Sequence, residues 1–203
     1  MKKRKLITVA IDSPAAAGAG TQSKLIAKHY NLFYLDTGKI YRYIGLLRLK
    51  LKGKLSNKII KKKINNLNIK TLSIKALLSD DVAVSAAEIA KRKHIRDIVH
   101  KFQQQCAYNP PKKFNGSVLD GRDITSVQVP DAMFKFFITA NIKTRAKRRY
   151  NEYKLLKKKL TLAEVLKNIK KRDKLDTKRK YGPLKKTKDS ILINTTKLSK
   201  KAC

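Results

Sequence analysis

Apolar residues along this chain of 203 residues follow two rhythms, short β-branched runs and longer stretches with helical spacing. Residues 6–11 (LITVAI) are continuously apolar and β-branched, the character of a strand buried on both faces. They run into a small, turn-prone stretch, residues 12–21 (DSPAAAGAGT), and then into 22–30, where Leu25, Ile26 and His29 share one side of a helix. A short apolar stretch, 32–35, ends in Asp36, Thr37 and Gly38 and leads into a second helix over 39–51. Residues 52–75 are rich in lysine and asparagine and read as a solvated connecting segment, with one amphipathic helix near 57–67 and a brief extended piece. Residues 80–107 have helical spacing with a break near 91–94. Pro110, Pro111, Asn115 and Gly116 then punctuate the chain. A third strand is expected at 117–120, a fourth at 133–139 and a fifth at 191–194, with strongly basic helices over 144–158 and 160–172. Strands alternating with helices predict an α/β fold of βαβ units, its parallel sheet covered on both faces.

Composition narrows the class. Hydrophobic residues make up 42%, enough for a real core in one domain. No window reaches the roughly 18 consecutive apolar residues of a membrane span. The cationic start, Lys2, Lys3, Arg4 and Lys5, precedes an apolar run too short for a signal peptide, so the expected location is cytoplasmic. Cys106 and Cys203 lack metal-ligand spacing, and His29, His94 and His100 are scattered, so neither a disulfide framework nor a zinc site is expected. The net charge of +36, from 50 Lys and Arg against 14 Asp and Glu, supports two readings. One is a nucleic-acid or polyphosphate surface. The other is compositional drift, since lysine supplies most of the excess and is interleaved with helix-period apolar residues. Weak nonspecific polyanion binding accompanies either reading. No long heptad appears, and a monomer is the simplest expectation.

The candidate chemistry begins at residues 13–21. Phosphate loops follow G-x-x-x-x-G-K-[ST], because successive backbone N–H groups must face the phosphates while the lysine reaches the β/γ-phosphates and the hydroxyl binds Mg²⁺. Here the string is Ser13, Pro14, Ala15, Ala16, Ala17, Gly18, Ala19, Gly20, Thr21, correctly placed between a buried strand and a helix. Ser13 stands at the first glycine and Ala19 where the lysine belongs, so by pattern alone a bare small-residue turn fits as well.

Further strings change that balance. Residues 35–42 (LDTGKIYR) match LD[ST]GxxYR, 120–123 read DGRD, and 129–132 read VPDA. Residues 172–179 (RDKLDTKR), with Pro183 and Leu184 after them, follow RDxxDxxR…PL, and Asn194, Thr195 and Thr196 are similar to D[ST]T. In this order and spacing the chain resembles the bacterial cytidylate kinases over most of its length. The resemblance implies a P-loop three-layer fold with a central parallel five-stranded sheet. It also implies one domain with its core at 1–50 and 112–203, a reduced NMP-binding region at about 51–111, and a helical lid at about 160–185.

The same resemblance implies roles. Residues 13–21 would wrap the phosphates of ATP, with Thr21 near Mg²⁺. Thr37, Tyr41, Arg42 and Arg96 would line the site of the acceptor, CMP or dCMP. Arg122 would contact acceptor phosphate and Asp123 the pentose or neighbouring groups. Arg172, Asp176 and Arg179 would arrive on the lid, Asp176 at the sugar and Arg179 at the transferring phosphates. Arginine suits these positions, because its rigid fork grips phosphate and keeps its charge when desolvated. Arg145, Arg148 and Arg149 read first as solvent-facing charge, with Arg145 and Arg148 also placed to face the donor phosphates.

The departures bear on competence. Ala19 removes a cation that stabilises the transferred group, Ala87 stands where a base-holding serine is expected, and Leu78 where arginine is frequent. Lys24 and Lys39 are the candidate replacements for the lost charge. Three functions stay open on sequence: a cytidylate kinase, slow for want of the loop lysine; a nucleotide-binding homologue without turnover; and a basic nucleic-acid-binding protein.

Overall fold

Five short runs of apolar residues pair side by side as β1 (Ile7–Asp12), β2 (Phe33–Asp36), β3 (Gly116–Gly121), β4 (Phe134–Thr139) and β5 (Ile191–Asn194). The structure, a computed structural model, describes residues 6–199 and 202–203, and Lys2, Lys3, Arg4 and Lys5 lie outside them. The strand order is β2-β3-β1-β4-β5 with every neighbouring pair parallel. Among the described residues seven α-helices connect the strands: α1 (Ala19–His29), α2 (Thr37–Lys50), α3 (Asn57–Asn65), α4 (Asp80–Ile89), α5 (Lys93–Tyr108), α6 (Ile142–Leu155) and α7 (Leu162–Lys178). This is the α/β architecture with a central five-stranded parallel sheet that the sequence predicts. Among the described residues no helix is long and apolar enough to cross a membrane.

Side-chain alternation on the central strands explains why both faces are covered. Ala10 and Leu119 point into one core with Ile40, Ile44, Ile95 and Val99. Their neighbours Val9, Ile11 and Val118 point into the other, with Ala17, Ala27 and Ile138. Period-two alternation of apolar residues onto opposite faces requires a layer on each. A third, smaller cluster of Ala146, Val165 and Ile169 joins α6 to α7.

Three expectations are corrected. On α1 the buried side chains are Ala19, Ser23 and Ala27, whereas Leu25 is 48% exposed and His29 is exposed. The helix begins in the tight loop after β1, so only small side chains fit beneath it. The segment 52–75 is not a solvated connection, because Ile60, Ile64 and Leu72 are buried in the first core. Burying each such side chain contributes about 2 kcal/mol, enough for an i, i+4 apolar pair to dock a lysine-rich helix. The extended piece expected there is instead two 3₁₀ turns, Ile69–Ser73 and Lys75–Leu78.

The topology positions the site. From β1 the chain crosses past β3 to reach β2, and from β3 it crosses past β1 to reach β4. The loops at the carboxyl ends of β1 and β3 therefore diverge. A crevice opens there, as at the switch point of open α/β sheets.

Candidate active site

The loop after β1 curls back on itself through one glycine and one alanine in left-handed conformation. Ala16 has φ 60° and Gly18 φ 96°, both left-handed. Thr21 and Gln22 are the first N–H groups to bond back, both to the Gly18 carbonyl, at 3.1 and 3.2 Å. The N–H groups of Ala19 and Gly20 thus precede any intrahelical acceptor, at the positive end of the α1 dipole. No side chain caps that helix and no acidic residue occupies its first turn. The loop is anchored from below, where Ser13 N–H donates to the Gly121 carbonyl at 3.2 Å. Ser13, Pro14, Ala17 and Ala19 are buried and Thr21 is exposed.

Two further anchors come from α6 and overturn the reading of its arginines as solvent-facing. Arg145 is buried, donates to the carbonyls of Ala140 and Ala15, and pairs with Asp173 of α7 at 2.7 Å. Arg148 donates to Thr195 Oγ1 at 2.8 Å and to the Thr195 carbonyl at 2.7 Å, and Thr195 Oγ1 donates to the Ala17 carbonyl at 2.8 Å. The sequence reading placed Arg145 and Arg148 toward donor phosphates as a second option. Both use donors to fix the loop.

Beside the loop lies a cavity of about 320 Å³. Its walls hold Ala15, Thr37, Tyr41, Arg42, Arg96, Arg122, Asp123, Arg172 and Arg179 of the residues predicted from sequence. Asp36, Asp120 and Arg149, not assigned roles in the site beforehand, line it as well, as does Lys39. An adjoining cavity of about 440 Å³, walled by α4 and α7, is lined by Ala87, Leu175, Asp176 and Tyr181 and shares Arg172 and Arg179 with the first. The loop residues Ser13, Pro14, Ala16, Ala17, Gly18, Ala19, Gly20 and Thr21 do not line this cavity. Of the two candidate replacement lysines, Lys39 is in the wall and Lys24 is exposed on α1.

The arginines are held by two buried carboxylates. Asp176 Oδ2 accepts from Arg122 Nε at 2.8 Å and Arg172 Nε at 3.0 Å, and Arg179 approaches its other oxygen at 3.8 Å. Burial works to raise the Asp176 pKa, but the charges of Arg122 and Arg172 outweigh it and hold the carboxyl below its usual range. Asp123 pairs with Arg96 through Oδ2 and with Arg179 through Oδ1, the latter at 3.4 Å. Gly182, in the loop after α7, sits against the Arg96–Asp123 pair with φ 57°. A Cβ there would lie 2.3 Å from both partners, so only glycine fits this turn against them.

Not every guanidinium is neutralised. Arg42 donates to the Leu77 carbonyl at 2.8 Å, and burial, then the charges of Arg149 and Arg172, make its proton easier to lose. The Tyr41 hydroxyl is buried with no partner among the described residues, its ring beneath Arg96, and burial pushes its pKa up to about 12. Thr37 is committed elsewhere, its hydroxyl donating to the Asp120 carbonyl at 2.7 Å. Asp36 caps α2 by accepting from Lys39 N–H, and Asp120 accepts from the Tyr34 hydroxyl at 3.0 Å. Burial, then the charge of Asp36, raises the Asp120 carboxyl well above the usual range. Among the described residues no three His, Cys, Asp or Glu side chains gather as a metal cluster. Paired aspartates beside a phosphate site do suit Mg²⁺, which takes one or two carboxylates and fills its shell with phosphate and water.

In all, seven cationic side chains and three aspartates line the first cavity. Such an excess in a partly closed space is a site for a polyanion of small size.

Comparison with known proteins agrees with this geometry. The family model described as "Cytidylate kinase" matches residues 9–203. A curated protein named cytidylate kinase from Fusobacterium nucleatum subsp. nucleatum is 39% identical over 204 residues, covering 95% of this chain and 91% of its own. One of the same name from Bartonella tribocorum is 41% identical over 200 residues, covering 96% and 89%. A crystal structure of an uncharacterized protein from Eubacterium ventriosum superposes with a TM-score of 0.51 at 17% identity, covering 95% of this chain and 90% of that one, a likeness of fold.

Proposed function

The chain belongs to the cytidylate kinase family, and from that premise we propose that it transfers the γ-phosphoryl group of ATP to CMP or dCMP without a lysine in its phosphate loop. The observation that carries the reading is the cavity whose seven cations outnumber its three aspartates, between the loop and α7.

In the proposed complex the residues of 13–21 wrap the donor phosphates with backbone N–H groups and the α1 dipole. Arg42, Arg96 and the free Tyr41 hydroxyl take the acceptor phosphate, and the pocket beside Ala87 takes the base. Arg122, Arg172 and Arg179, spaced by Asp123 and Asp176, face the group in flight. An oxygen of the acceptor phosphate attacks the γ-phosphorus as its bond to the ADP oxygen breaks, and the protein positions the partners and offsets charge. Asp36, Asp120 and the Thr21 hydroxyl would hold Mg²⁺, which would supply charge neutralisation on the donor phosphates when bound. Lys39 and Arg149 supply cationic charge that Ala19 does not. Residues of about 51–111 form the acceptor side and about 160–185 the lid, which excludes water as a competing acceptor.

Phosphoryl transfer from ATP–Mg²⁺ to CMP, dCMP, UMP and AMP, with Ala19→Lys assayed alongside, tests the proposal. The expected result is slow turnover of CMP and dCMP by the unmodified chain and a kcat about a hundredfold higher in Ala19→Lys, the scale of one restored transition-state contact. Activity only in the variant would indicate a nucleotide-binding homologue whose chemistry was lost with the lysine. No transfer by either protein would overturn the reading.

A further inference from the structure

We propose that His100 and Gln128 are positioning residues for the acceptor site. In this relay the His100 imidazole fixes the Gln128 carboxamide, which holds Asp123 and through it Arg96 and Arg179. The proposal rests on the acceptor reading of the cavity given above.

Gln128 ends the single π-helical turn Ile124–Gln128 and is 2% exposed. Its Nε2 donates to Asp123 Oδ2 at 2.8 Å, and its Oε1 lies 2.7 Å from Nδ1 of His100 on α5. The chemistry fixes the orientation of both groups. An ionised carboxylate can only accept, so the amide must present its N–H₂ end to Asp123 and its oxygen to the imidazole. His100 must then carry its proton on Nδ1, as a donor to Oε1. Were the amide reversed, its oxygen would face the carboxylate and the bond to Asp123 would be lost. An imidazole protonated on Nδ1 disfavours the reversed amide as well, because two N–H groups would then face each other.

The four side chains form a closed circuit on two elements. Arg96 and His100 stand one turn apart on α5, and Asp123 and Gln128 lie at the start and end of the π turn. Arg96 grips Asp123 Oδ2, the same oxygen that Gln128 holds, while Oδ1 reaches Arg179. Asp123 is therefore pinned from both sides. The lid loop depends on that position, since Gly182 has no space for even a Cβ against the pair. A glutamine that merely filled volume here would bury an amide at a cost that leucine avoids. Its two hydrogen bonds offset the cost, one to His100 and the other, through Asp123, leading to Arg96 and Arg179.

The test uses steady-state kinetics on the full chain with varied CMP and varied ATP. Gln128→Leu and His100→Phe are expected to raise KM for CMP about tenfold, the scale of one buried hydrogen bond, while KM for ATP stays in place. His100→Asn, whose amide N–H reaches the place of Nδ1–H, is expected to restore KM. The double variant is expected to be no worse than Gln128→Leu alone, because the two act in series. An equal rise in both KM values, additive effects, or lowered thermal stability with unchanged KM for CMP would overturn the relay. ¹⁵N NMR of the unmodified chain supplies a readout free of turnover: His100 protonated on Nε2 alone would overturn the relay even in an active kinase. An unmodified chain that neither turns over nor binds CMP by calorimetry would defeat the acceptor reading and the relay with it. Normal CMP turnover with unaffected variants would defeat the relay alone.

Discussion

Ala16 holds a left-handed backbone, φ 60°, in the middle of the phosphate loop. An L-residue with a Cβ carries about 1–2 kcal/mol of strain there. Ala16→Gly removes that strain but gives the unfolded chain more freedom, so a net gain of about 1 kcal/mol is expected by chemical denaturation. A loss of stability would mean the loop takes another conformation. The loop's place could be read from sequence because strand, small residues and helix follow in order. Its conformation could not, since the alanines hide which positions need φ > 0. Most residues of the predicted site that gather in the cavity stood in strings of fixed spacing, Arg96 being the exception. Arg149, Gln128 and His100 stood in none, and only the folding of α5, α6 and the π turn against one another gives them partners.

At the scale of elements, helix and strand periods were legible, and the boundaries differ from the expected ones by a few residues. The break expected near 91–94 falls between α4 and α5. The helical faces were less legible. α1 turns alanines and a serine inward where its leucine was expected, Ile26 being only partly buried, because the tight loop after the central strand β1 leaves little depth beneath the helix. The π turn was invisible, five residues being too few to show a period. This turn is tied to β1 by one carboxylate. Asp12 Oδ1 accepts from Ile124 N–H at 2.7 Å, and Oδ2 accepts from Thr125 N–H at 2.9 Å and its hydroxyl at 2.6 Å. Burial outweighs these donors and pushes Asp12 up to about 6. The native state therefore binds this proton more tightly than the unfolded chain, whose carboxyl titrates near about 3.9. The group favours the fold most at low pH, and that contribution fades as pH rises to about 6. Thr125→Val removes a donor and raises the carboxyl further. Its destabilisation relative to the unmodified protein should grow between pH 4 and pH 7, reaching about 1–2 kcal/mol in denaturant titrations. A gap that stays flat with pH would assign the effect to packing.

At the scale of the whole molecule, the net charge of +36 is carried mainly by lysines, while several of the 14 acidic residues are occupied by arginines around the cavity. The charge therefore predicts electrostatic attraction without selectivity. Retention on a duplex DNA or polyphosphate column should collapse between about 50 and 200 mM salt, with no preference for sequence. Binding that survives moderate salt and discriminates between nucleic acids would instead establish a dedicated surface. Composition displayed the charge from the start, but only the folded arrangement separates the arginines that serve the cavity from the lysines on the exterior.

The position of β1 in the sheet also bears on how the protein is made. Ile7 pairs with Gly116, and Val9 with Phe134, each more than a hundred residues later in the chain. During synthesis the first strand leaves the ribosome long before either flank exists, and its apolar residues stay without a partner until β3 emerges. The loop of residues 13–21 cannot be fully anchored earlier, because Ser13 bonds to Gly121 and Ala17 to Thr195. A nascent chain would thus acquire the proposed donor site among the last features to form, and a chaperone that shields the N-terminal strand would act in that interval.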